Sequence, residues 1–134
     1  MHFDQIKEDL DLFTEWEDRY GYIIDLGKQI SLPEEKKTDQ NKVNGCASQV
    51  WLDMKWHGPR DTKIFNIEGD SDALIVKGLI AILLSLYQGK NLVQAQAVDP
   101  RVEFDKLGLN SHLSSQRSNG LKSMIDQIKI FVNT

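Results

Sequence analysis

Residues 73–87 run almost without polar interruption: only Lys77, Gly78 and Ser85 break a series of Ala, Leu, Ile, Val and Tyr. A bilayer crossing needs about 20 apolar residues. This stretch is shorter and carries a lysine, so it reads as a helix of a protein interior, expected over about residues 71–88. A helix that is apolar nearly all round is stable only when other elements cover it on every side. With 134 residues the chain has the length of one compact domain, residues 1–134, built around that helix. Asp70, Ser71 and Asp72 stand where side-chain oxygens can cap free N–H groups at its start, and Gly89 ends it.

Periodicity supplies the covering elements. Ile6, Leu10, Phe13, Trp16 and Tyr20 recur at three- and four-residue steps, the spacing of one helix face. After Gly21, Tyr22, Ile23, Leu26 and Ile30 continue a second helical pattern until Leu32 and Pro33 stop it. The polar residues 34–40 read as an exposed loop and 41–43 as a short extended piece. Val50, Leu52, Met54 and Trp56 then alternate with Trp51, Asp53 and Lys55, the period of a strand. A turn cluster at 57–61 leads into a second strand over 62–68, giving an antiparallel hairpin. Short helices are expected at 92–97 and 102–107, and a last one from about Ser118 with Leu121, Met124, Ile125 and Ile128 on one face.

Charge and composition exclude several functions. Net charge is −4, and the basic residues are scattered among acids, which argues against a nucleic-acid partner. Residues 1–11 hold acids and no basic-then-apolar pattern, so no secretory signal or membrane attachment is expected and the cytoplasm is the expected location. His2, His57 and His112 lack the spacing of a metal site, and no phosphate-binding loop or serine nucleophile elbow occurs.

Cys46 is the sole cysteine, so an internal disulfide is impossible. It follows Gly45, whose backbone freedom permits close approach by another molecule, and lies in a turn at the mouth of a strand. A thiol that exchanges sulfur must ionise, be reachable and be free of disulfides. Cysteine also serves as a small buried apolar residue, and position alone leaves both readings open.

Longer strings carry a resemblance. V-N-G-C-A-S-Q-V-W-L (43–52), G-D-S-D (69–72) followed by the apolar run to Lys90, F-D-K-L-G-L (104–109) and H-L-S-S-Q-R-S-N-G-L (112–121) closely resemble, in order and over nearly the whole chain, the SufE family of sulfur acceptors in iron–sulfur cluster assembly. The resemblance implies an α+β fold with a small antiparallel sheet of about three strands flanked by helices, similar to the cluster-assembly scaffold proteins. It implies a non-enzymatic sulfur carrier and activator whose partner is a SufS-type cysteine desulfurase. That partner uses pyridoxal phosphate; this chain needs no cofactor of its own. Cys46 would accept the persulfide sulfur from a loop that is shielded at rest and extends towards the partner. The sulfur would pass on to a SufBCD-type scaffold complex. A CsdE-like sister acceptor serving a second desulfurase, or a non-carrier interaction module on the same fold, are the alternatives. Ala47 departs from the family, which usually has a longer polar residue there.

Arg117 is expected to stabilise a thiolate or contact the partner, or else to fix the turn before a helix capped by Ser118. Asp72 is expected to cap the central helix or, by the resemblance, to govern how loosely the cysteine loop is held. Gly45 and Ser48 flank the thiol as supporting residues.

Overall fold

The computed structural model describes residues 2–134. Helices α1 (Phe3–Asp11) and α2 (Trp16–Gly27) open the chain, followed by a 3-10 turn at Glu34–Lys36. Strands β1 (Val50–His57) and β2 (Ile64–Ser71) form an antiparallel pair with Val50 opposite Ser71 and His57 opposite Ile64. Helix α3 (Leu74–Tyr87) is central. Helices α4 (Leu92–Ala97), α5 (Pro100–Lys106) and α6 (Ser115–Val132) complete the α+β fold expected from the sequence.

α3 is the hub. Ile75, Val76 and every residue from Gly78 to Leu83 are buried, as are Leu86 and Tyr87. The inward face of the hairpin, Val50, Leu52, Phe65 and Ile67, packs on it together with Ile6, Leu10, Ile23 and Leu26 from the first two helices. α2 crosses α3 at Gly27 and Gly78, where a Cβ on Gly27 would stand 2.6 Å from the Gly78 nitrogen. Only hydrogen at both positions allows the two backbones so close. Gly78 thus interrupts the apolar run for a packing reason.

Several boundaries differ from the sequence reading. The Ile6-to-Tyr20 stripe is two helices, broken over residues 12–15, while Gly21 sits inside α2 with open space around it. Both helices bring their apolar faces to α3, so one stripe covers two elements. The sheet has two strands rather than about three. The third piece stays at ladder fragments: Lys42 bridges Trp51, the Val43 N–H donates to the Val50 carbonyl at 2.9 Å, and the Leu52 N–H donates to the Asn41 carbonyl at 2.8 Å. Two residues later the chain turns away into the cysteine loop.

The expected helix cap at Asp70 and Ser71 is instead the end of β2. α3 starts at Leu74 behind Ala73, with no side-chain cap, although the Ala73 N–H donates to Ser71 Oγ at 3.2 Å. α6 begins three residues earlier than expected, capped by Ser114, whose Oγ accepts from the Arg117 N–H at 3.2 Å; Ser118 lies in the first turn. Ser114 offers the same chemistry as Ser118, and only the backbone path selects between them.

The polar residues 34–40 do more than cross the surface. Lys36 meets Asp53 at 3.2 Å, and Lys37 meets the buried Asp70 at 3.3 Å while its ammonium lies 5.4 Å from the Trp51 ring centre. This strap holds the outer face of the hairpin and leads directly into residues 41–46.

Candidate functional site

Cys46 lies between the end of the strap and the start of β1, on the loop 44–49. Gly45 has φ +89°, a left-handed conformation that any side chain would strain, and a Cβ there would stand 2.5 Å from Ser123 Oγ on α6. The glycine therefore serves both the turn and the loop's close packing on α6. Two further ties close the loop. The Val43 N–H bonds to Val50 across its neck. Asp72 Oδ1 accepts from the Gln49 N–H at 3.0 Å, while the Asp72 N–H donates to the Gln49 carbonyl at 3.3 Å. Asp72 thus ties the cysteine loop rather than capping α3.

The Cys46 thiol is half-buried and points at α6, where its S–H donates to the Gly120 carbonyl at 3.6 Å. It borders a cavity of about 270 Å³. Val76 and Leu79 of α3 and Leu121 and Met124 of α6 form the apolar wall; Ser48, Gln116 and Arg117 stand at the polar side. Burial pushes the thiol up from its ordinary pKa, because the charged form loses more hydration than the neutral one. Arg117 does not oppose this shift: its guanidinium is placed 5.9 Å from the Tyr20 ring centre, a cation–π contact with α2.

The fold thus brings all five sequence-selected residues, Cys46, Gly45, Ser48, Asp72 and Arg117, to one loop and its surroundings. Gly120, Met124, Val76 and Leu79, which wall the thiol, did not stand out in the sequence as site residues. Their signal was mixed with that of the core: α3 and α6 are apolar for stability, and nothing in periodicity says which turn faces a thiol. The remaining candidates lie elsewhere. His112 stacks on Trp16, with ring centres 4.1 Å apart, and Trp56 packs against Phe65 and Phe131. Among the described residues no cluster of His, Cys, Asp and Glu could hold a metal ion, and no helix is long and apolar enough to cross a membrane.

Fold and site together define an α+β protein that presents one loop thiol over a cavity with one apolar and one polar side. A sequence profile described as "SufE: Fe-S metabolism associated domain" matches residues 4–132. The chain belongs to the SufE family, which places it in iron–sulfur metabolism. An uncharacterized SufE-like protein of Rhizobium etli is 52% identical over 127 residues, covering 94% of this chain and 86% of that one. Another, of Rhizobium meliloti, is 50% identical over 127 residues, covering 94% and 91%. The solution structure of a hypothetical protein from Thermus thermophilus superposes with a TM-score of 0.74 at 18% identity, covering 99% of this chain and 96% of that one. That likeness is one of fold.

Proposed function

We propose that this protein is a covalent sulfur acceptor and activator for a cysteine desulfurase, and that Cys46 is the acceptor. The observation that carries the reading is the Cys46 thiol held against the apolar wall of a half-polar cavity by a loop tied at only a few points. A persulfide exposed to water is open to small thiols and oxidants, so a carrier gains from keeping the sulfur against apolar walls between transfers.

In the transfer step the Cys46 thiolate attacks the outer sulfur of the donor's cysteine persulfide. A bond forms from Sγ to that sulfur, the donor's S–S bond breaks, and the donor cysteine departs with the electron pair as a thiolate. Burial disfavours the thiolate of the seated Cys46, so we assign attack to the state in which the loop has left the cavity. Gly45 gives the loop backbone freedom for that movement, and Asp72 releases or holds Gln49. Arg117, which lines the cavity, is the residue assigned to partner contact in this reading. Pyridoxal phosphate remains with the donor enzyme. A SufS-type donor and a SufBCD-type scaffold downstream complete the reading, with the CsdE-like role distinguished by which desulfurase loads the protein.

The test is intact-protein mass spectrometry after anaerobic mixing with a cysteine desulfurase and L-cysteine. A reducible gain of one or more sulfur atoms, mapped to Cys46 and lost in Cys46→Ser, is expected. No gain with several active desulfurases, or an equal gain in Cys46→Ser, would overturn the assignment. Cys46→Ser should still fold, since the change keeps size and a donor for the Gly120 carbonyl.

A further inference from the structure

We propose that Gly120 is the positioning residue that allows Cys46 to hold its outer sulfur inside the protein; this rests on the sulfur-acceptor reading above. Gly120 lies inside α6 with the helix continuing on both sides. Its φ is not in the left-handed region, which among the glycines holds Gly45, Gly58, Gly89 and Gly108. The backbone therefore does not require glycine at 120, and glycine in a helix interior is less favourable than alanine. A residue that works against its own helix calls for another reason.

The thiol supplies one. In the unloaded protein the S–H is directed at the Gly120 carbonyl, 3.6 Å away. An S–S bond of about 2.05 Å laid along that line would drive the outer sulfur into the carbonyl oxygen, well inside van der Waals contact. A loaded Cys46 must therefore turn off the carbonyl, and the space beside Sγ is the cavity walled by Val76, Leu79, Leu121 and Met124. A methyl group on Gly120 would stand 3.5 Å from Sγ and 3.7 Å from the Cys46 Cβ. That is ordinary contact for a thiol, but it fills the room next to Sγ into which the outer sulfur turns. Glycine at 120 accepts both states: a carbonyl for the thiol and a space for the added sulfur.

Loading with inorganic polysulfide tests this without any desulfurase. The Cys46 thiolate attacks a polysulfide sulfur, an Sγ–S bond forms as one polysulfide S–S bond breaks, and the shorter polysulfide leaves with the electron pair. Cyanide then removes the outer sulfur as thiocyanate and returns the Cys46 thiolate, so the rate of thiocyanate release reads how well the sulfur is housed. Gly120→Ala is compared with Gly21→Ala, a helical position with nothing within 4 Å of the added Cβ. In the unloaded state both variants should keep or raise the Tm. In the loaded state Gly120→Ala should release sulfur about tenfold faster than the parent, since exchange depends on access, and Gly21→Ala should match the parent. Equal release from Gly120→Ala and the parent would overturn the proposal.

Should Gly120→Ala fail to fold, the parent decides: release as fast from native protein as from urea-unfolded protein would mean that no sulfur is housed, and slow native release upholds the housing. Because loading is chemical, failure of desulfurase transfer counts against the acceptor reading alone, whereas equal release rates count against Gly120 alone.

Discussion

Asp70 lies at the end of the hairpin and Cys46 just before its start, and both lose hydration, yet their ionisation moves in opposite senses. Asp70, 6% exposed, is pushed up by burial, but the Ser71 N–H at 2.8 Å and the ammonium groups of Lys77 and Lys37, each at 3.3 Å, outweigh this and hold the carboxyl below its usual range. Cys46 receives the burial with no cationic or donor partner among the described residues to offset it, so its thiol is pushed up. Desolvation alone does not decide a buried group's state; the sign of its partners does. The first arrangement locks strand end, strap and α3 together. The second leaves a quiet thiol on a loop held by few hydrogen bonds.

The largest expected effect concerns the thiol. Alkylation of Cys46 by iodoacetamide should rise about tenfold per pH unit across the neutral range and keep rising past the pH at which the urea-unfolded chain levels off. Levelling of both at one pH would break the comparison. The linked stability term has a definite sign: with the folded thiol pKa raised, its contribution is complete below the ordinary thiol pKa and is lost as pH rises through the folded value.

Next in size is Asp70→Asn, which leaves Lys37 and Lys77 without their shared carboxylate. A loss of about 2–3 kcal/mol in urea unfolding is expected. For the parent the Asp70 contribution is present above the ordinary carboxylate pKa and disappears as pH falls through the lower folded value. An unchanged urea midpoint for Asp70→Asn would remove Asp70 from the structural side of the contrast.

The smallest effect sharpens the thiol side. Asp72→Ala removes the bond to the Gln49 N–H, worth about 1 kcal/mol, and should speed Cys46 alkylation about fivefold while costing no more than about 1 kcal/mol in urea unfolding. A large loss of stability with no change in alkylation would make Asp72 a structural residue instead.

Much of this was legible beforehand because local rules and global fold agree. The run 73–87 became the central helix, the alternation from Val50 to Trp56 became a strand with Val50 and Leu52 buried, and the hairpin formed with the expected partner. The errors lie where equivalent residues compete locally. Ser114 and Ser118 can each cap a helix, and Asp70 and Ser71 suit a helix start as well as a strand end. One amphipathic stripe fits one helix or two.

By itself the sequence determined the α+β class, the buried central helix and the identity of the one thiol, because apolar periodicity and residue inventory are properties of the chain. Tertiary structure alone decided that α3 and α6 wall the cavity beside that thiol, that Asp72 ties its loop, and that Gly120 leaves space beside the sulfur. Those facts depend on which turns of distant helices come within a few ångströms of residue 46, and periodicity along a chain carries no record of that distance.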